Sequence, residues 1–162
     1  MQPGRGSMLA SPAVWRFFLV RYLPVFGAVN LAWEVLQLPL YTIWHQEDFG
    51  GLTYAVLHCT AGDLLIGALA LLAAALLFGG GAWPRVRHGP VLAAAMAFGI
   101  AFTVASEWIS TRITLGWQYA EAMPVVPPFG TGLTPLLQWV LIPPAAYAVA
   151  VAMTRRAHAA QA

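Results

Sequence analysis

Four apolar runs, each ended by a polar or turn-forming stretch, divide the chain. They extend from about Phe18 to Trp44, Leu52 to Phe78, Val91 to Leu115 and Leu133 to Met153 (residues 18–44, 52–78, 91–115 and 133–153). A hydrocarbon core about 30 Å thick is crossed by ~20 apolar residues in a helix. The pattern therefore predicts an all-α membrane protein, four transmembrane helices in one bundle, with residues 1–162 forming a single transmembrane domain. The connections are an acidic, turn-forming loop (His45 to Gly51), a second carrying Arg85 and Arg87 (Gly79 to Pro90), and a long aromatic and proline-rich third from Gly116 to Gly132. Pro24, Pro39 and the Pro143–Pro144 pair fall inside the runs; proline tends to kink or end a helix, and membrane helices tolerate it where neighbours satisfy the freed groups. The first dozen residues read as a short tail. The run after Arg16 is too long for the core of a signal peptide and lacks a small-residue cleavage site, so it is read as a retained span.

The polar interruptions of these runs are patterned. Asn30, Glu34, Gln37 and Tyr41 recur at spacings of four, three and four, which puts them on one helix face. An ionisable residue within a span is costly and usually faces a bundle interior or a watery cavity. The second run holds His58, Cys59, Thr60 and Asp63 in its first third and continues as Ala and Leu. The third begins with small residues that permit close helix approach, then turns polar at Thr103, Ser106, Glu107, Ser110 and Thr111. In the fourth, Thr134 and Gln138 align. At 1.5 Å per residue, Glu34 and Glu107 lie ~12–15 Å below the same membrane boundary, with His58, Asp63 and Gln138 in the same half. One polar pocket, sealed below by Ala/Leu packing, accounts for this distribution. His58 and Asp63, about 140° apart on a helix, both reach it only if the second helix is central or bent.

Composition and charge set the surroundings and the orientation. The chain is 60% hydrophobic and 9% charged, against roughly 25% charged in soluble domains. All eight basic side chains are arginine. Arg5, Arg16, Arg85, Arg87, Arg155 and Arg156 flank the runs on one side, while the first and third loops hold none. The positive-inside rule then puts both termini and the second loop in the cytoplasm and opens the pocket outward. The expected location is a bacterial inner membrane, multi-pass. Arg112 is expected to snorkel or to pair with an acid. The arginines form no basic stripe, so the lipid bilayer rather than nucleic acid is the expected partner, and a membrane-protein partner or a homo-oligomer is compatible with the pattern. The single Cys59 excludes an internal disulfide.

Several chemistries fit these residues. Glu34 and Glu107 are the candidate catalytic acid–base pair. Asn30, Gln37, Tyr41, Trp108, Trp117, Tyr119 and Gln138 are candidates for binding substrate. His58, Asp63, Glu34 and Glu107 together make a carboxylate–imidazole set of the kind that takes a divalent transition metal, although no E-x-x-H or H-x-x-x-H spacing is present. The competing reading is a buried hydrogen-bond network that locks the helices in register. Trp44, Trp83, Trp117 and Trp139 fall near span ends, where an interfacial aromatic belt explains most of them without any ligand, while Trp33, Trp108 and the loop pair Trp117 and Tyr119 are better candidates for lining an apolar substrate. His45, His88 and His158 read as solvated, Cys59 as a small buried hydrophobe, and Ser110 has no base at nucleophile spacing.

The motifs W-E-x-x-Q-x-P-L-Y (from Trp33), H-C-T-A-G-D (from His58) and S-E-W (from Ser106) resemble those of a family of small proteobacterial inner-membrane proteins, which supports the topology and supplies no activity. Glu107 followed by G-W-Q-Y (Gly116 to Tyr119), a proline-rich stretch and a Trp-bearing helix is similar to carotenoid hydratases and related membrane cyclases, and the sterol-isomerase-like four-helix fold offers a comparable analogy. The hydratase resemblance implies protonation of a polyene, with Glu107 transferring the proton and Trp117 and Tyr119 beside the substrate. The chain is shorter than those proteins and has fewer spans. The expected function is an intramembrane enzyme acting on a lipid-soluble, isoprenoid-like substrate by acid–base or metal-assisted chemistry. The alternatives are an accessory or assembly subunit of a membrane complex, and a metal- or proton-handling transport component.

Overall fold

A computed structural model describes residues 8–114 and 116–160, apart from the side chain of His158. The expectations for Arg5 in the tail, for Leu115 at the end of the third run and for His158 lie outside these residues. Of the described residues 77% are helical, and four helices among them are long and apolar enough to cross a membrane: α1 (Pro12–Leu40), α2 (Phe49–Gly79), α3 (His88–Arg112) and α4 (Leu133–Ala159). The four predicted helices are all present, and their bounds differ for local reasons. The first begins at Pro12, suited to the first turn because its missing N–H has no partner to lose there. Near Pro24 the helix widens rather than breaks. Residues Arg16–Tyr22 are π-helical, and the N–H of Leu23 reaches back to the carbonyl of Phe18 just before the proline that cannot donate.

The first helix ends at Leu40, not Trp44. Pro39 lies in a closing 3₁₀ turn, Leu38–Leu40, and Tyr41 is extended. Tyr41 therefore leaves the helical stripe expected for it and pairs as an isolated β-bridge with Tyr119. The N–H of Thr42 donates to Gln118 (3.0 Å) and that of Ala120 to Leu40 (2.9 Å), tying the first loop to the third. After a short helix, Ile43–Gln46, Asp48 caps α2 by accepting from the N–H of Gly51 at 2.9 Å. The third loop folds into a small hairpin, β1 (Val125–Val126) against β2 (Thr131–Gly132), with Gly130 at positive φ in the turn.

Neighbouring helices pack in a ring, α1 on α2 and α4, α3 on α2 and α4. At the end shared by the described chain termini and residues 80–87 (the terminal end), Phe17, Phe18, Tyr22, Phe26, Trp83 and Tyr147 form an aromatic core with Leu71 and Ala74. Two glycines permit the closest approaches. A Cβ at Gly67 would lie 2.5 Å from the Phe26 ring, and one at Gly99 would lie 1.9 Å from the indole of Trp139. Trp83 and Trp139 are thus core residues and not interfacial ones: Trp83 is buried and donates to the Tyr147 hydroxyl at 2.9 Å. His88 is also not a solvated loop residue. It opens α3 half-buried, with Nδ1 3.0 Å from the same hydroxyl.

Polarity is inverted relative to a soluble bundle. Asn30, Glu34, Gln37, Glu107 and Gln138 are buried, while Leu36, Leu65 and Leu69 lie on the outside. Such a surface suits a chain whose solvent is lipid.

Candidate functional site

Away from the aromatic core, toward the first and third loops, the ring of helices opens onto a cavity of about 700 Å³. All four helices line it, as do Gly116 and Trp117 of the third loop. Its walls mix apolar side chains (Val56, Ile66, Phe102, Trp139) with Glu34, Asp63, Glu107 and Gln138. The polar groups form two separate assemblies.

The first assembly joins α1, α2 and α4. Asn30, Glu34 and Gln37 follow one another along the buried face of α1 as their spacing requires. Gln37 is oriented by Trp33, whose indole donates to its amide oxygen at 3.2 Å, and its own nitrogen donates to Glu34 Oε1 at 2.8 Å. From α4, Gln138 Nε2 lies 2.8 Å from Asn30 Oδ1, 2.7 Å from Asp63 Oδ2 and 3.2 Å from Glu34 Oε1. An amide nitrogen has two protons, so the two shorter contacts take them and Glu34 receives a shared, weaker one. Glu34 Oε1 and Asp63 Oδ2 thus lie against the same amide nitrogen, which brings the two carboxyl groups side by side.

The second assembly joins α3 to the third loop. Tyr119 accepts from the N–H of Gly132 at 2.9 Å and donates its hydroxyl proton to Glu107 Oε2. Trp117 donates to the same oxygen at 3.4 Å. Glu107 Oε2 is thus the acceptor of two bonds, both from the third loop. Burial, and after it the bond to Glu107, hold the Tyr119 phenol above its ordinary range, so it remains a neutral donor. Gly132 is needed here: a Cβ on it would lie 3.1 Å from the Tyr119 ring and 3.2 Å from Met123 Sδ.

Of the residues expected to bind substrate, Gln37, Tyr41, Trp117 and Gln138 line the cavity. Asn30 and Tyr119 instead hold lining groups in place. Trp108 does neither. It is 45% exposed on the outer surface of α3, one position and so about 100° around the helix from Glu107. The expected metal ligands are not assembled. His58 lines the cavity but stacks on Tyr54 (5.5 Å between centroids), and among the described residues no three His, Cys, Asp or Glu side chains are placed to hold a metal ion. Arg112 is exposed and does not turn inward to the acids; its guanidinium lies over Gly130 of the hairpin turn. Sequence reasoning missed the capping by Asp48, for which D-x-x-G before an apolar run was an available signal. It also missed the link between Tyr41 and Tyr119, which no local spacing encodes.

Comparison with protein families, curated proteins and solved structures gives no match to this chain. The site's own geometry therefore carries the functional argument.

Proposed function

We propose that this is a multi-pass protein of a bacterial inner membrane whose cavity carries out acid–base chemistry on a lipid-soluble, isoprenoid-like hydrocarbon. One observation carries the reading: three carboxyl groups from three helices, in two differently bonded arrangements, face a single cavity with apolar walls. Two carboxyl groups held against one amide nitrogen share a proton more readily than they carry two charges, which makes the Glu34–Asp63 pair the donor, and Glu107 is arranged as an acceptor. The pair donates its proton to one carbon of a carbon–carbon double bond, whose π electrons form the new C–H bond. The cation left on the neighbouring carbon is stabilised by the faces of Trp139 and Phe102. Glu107 then takes a proton from an adjacent carbon, and that C–H pair becomes the new double bond. The net change is a shift of the double bond, with no oxidant or reductant consumed. Water in the cavity returns the proton from Glu107 to the pair.

The aromatic core between the cavity and the terminal end favours this reading over transport, because no polar path crosses it among the described residues. The assembly reading is favoured by a different observation, the bonding of three helices by Gln138. Incubation of the purified protein in nanodiscs with polyprenols, carotenes and sterols in deuterated water, followed by mass spectrometry, separates the two. Catalysis predicts deuterium at substrate carbon, reduced about 10²-fold or more by Glu107→Gln and also by Glu34→Gln, with membrane accumulation intact. Lack of incorporation across the panel, or collapse of accumulation in Glu34→Gln with no loss of exchange in Glu107→Gln, refutes catalysis.

A further inference from the structure

A second cavity, of about 400 Å³, lies at the terminal end, on the far side of the aromatic core from the carboxyl groups. Arg16 and Arg21 of α1, Arg85 of the second loop, His88 of α3 and Arg155 of α4 line it, with Ala13, Phe17 and Val151 as its apolar wall. None of the six acids in the sequence is among its lining residues. Four guanidinium groups around one cleft repel each other unless an anion lies between them. Guanidinium groups are also the side chains best shaped for phosphate oxygens, which they bind through paired N–H donors.

The cleft is built for the purpose in one further respect. Arg21 Nη1 donates to Thr154 Oγ1 at 2.8 Å, and that hydroxyl spends its own proton on the carbonyl of Ala150, also at 2.8 Å. Arg21 is thereby oriented before any ligand arrives, and among the described residues its other N–H groups have no side-chain acceptor. A groove of about 540 Å³ continues from the cleft along α4, sharing His88, Val151 and Arg155 with it and running over Tyr147, Ala148 and Ala152. This groove is apolar apart from its basic rim, and Ala148 and Ala152 are exposed on the outer surface of the bundle. A ligand that fills both parts has an anionic head and a hydrocarbon tail.

We infer that this cleft binds the phosphate of an anionic phospholipid, with an acyl chain in the groove beside α4. The phosphate supplies the countercharge that four arginines lack. Phosphate without a hydrocarbon chain satisfies the cleft alone, so the test must separate the two. Basic pockets between membrane helices at the arginine-rich face are suited to such headgroups. This site is independent of the carboxyl cavity and of any chemistry there.

Delipidated full-length protein is mixed with equal amounts of phosphatidylglycerol and phosphatidylcholine, and the lipid retained is measured by native mass spectrometry. Thermal unfolding is followed in parallel. Retention of phosphatidylglycerol at least tenfold above phosphatidylcholine is expected. Arg16→Gln/Arg85→Gln/Arg155→Gln should abolish that preference, and Arg112→Gln at the opposite end should leave it unchanged. In the absence of lipid the triple variant should melt no lower than the parent, since substitution relieves repulsion; this distinguishes a lost site from a lost fold. Equal retention of the two lipids overturns the inference, as does a folded triple variant that keeps the preference. Complete displacement of phosphatidylglycerol by millimolar inorganic phosphate overturns the lipid as the occupant.

Discussion

Replacing Gln138 with leucine tests the most connected side chain in the molecule. Leucine keeps about the same volume, so the change removes hydrogen bonding without opening a large cavity. Gln138 Nε2 has contacts of 2.7 Å to Asp63, 2.8 Å to Asn30 and 3.2 Å to Glu34, and two protons to serve them. Two full hydrogen bonds are therefore lost. Inter-helix hydrogen bonds in membranes average about 0.6 kcal/mol and reach about 1.7, so the bonds themselves account for about 1–3 kcal/mol. The acceptors left behind add less than their full desolvation cost of about 1–3 kcal/mol each, because Gln37 still donates to Glu34 and both carboxyl groups line the open cavity. A loss of about 2–3 kcal/mol is expected. Reversible unfolding in mixed micelles, titrated with sodium dodecyl sulfate and followed by circular dichroism, measures it. A double-mutant cycle with Asn30→Leu isolates the Asn30–Gln138 pair and should return a coupling above about 0.5 kcal/mol. A destabilisation below that value, with no coupling, would refute the view that this amide bridges three helices.

Further expectations follow from single contacts. Gly99→Ala puts a methyl group where the Trp139 indole already lies and should cost about 1–3 kcal/mol. Gly62→Ala in α2 meets nothing within 4 Å and should be neutral or stabilising by up to about 1 kcal/mol; equal melting of the two variants would mean that the close approach at Gly99 does not exist. Asp48→Ala removes the α2 cap and should cost about 0.5–2 kcal/mol in the same titration, whereas Glu47→Ala, with no cap to lose, should not. Stability should also fall as pH rises past about 10, the unfolded tyrosine value, because the unfolded Tyr119 phenol then ionises while the folded one, raised by burial, keeps its proton. Tyr119→Phe should remove part of that alkaline loss, and an unchanged alkaline slope would count against a buried Tyr119.

The parts of this structure that could be read in the sequence are those encoded by period. Asn30, Glu34 and Gln37 share a buried face because a helix repeats every 3.6 residues, and Glu107 joins them because it lies at a matching depth on a neighbouring helix. Tyr41 obeys the same arithmetic on paper, yet Pro39 ends the helix two residues before it. A stripe cannot outlast the helix that carries it. Trp83, Trp139 and His88 were misread for a related reason. Position near a span end suggests an interface, but aromatic side chains there can turn inward where a glycine or a tyrosine hydroxyl receives them, as Gly99 and Tyr147 do. The partition of the carboxyl groups was beyond sequence reasoning. Glu34 pairs with Asp63 rather than Glu107 because Gln138, more than 70 residues away in the chain, selects that pair.

The dependence of Glu107 on the third loop links access to chemistry. Glu107 sits on a helix, but the donors that orient it, Tyr119 and Trp117, belong to a loop. That loop is anchored at Tyr41 and Leu40 on one side and at Gly132, where α4 begins, on the other. Its Trp117 lines the cavity. Any displacement of the loop large enough to lift Tyr119 also releases the hydrogen bond that holds Glu107. The Glu34–Asp63 pair is different, since all its partners are helical and stay in place when a loop moves. Under the proposed chemistry, the proton donor is thus fixed by helices, whereas the orientation of the acceptor depends on the loop. Displacement of the loop would then disorient Glu107 and leave the pair in place, which ties that chemistry to the position of the loop.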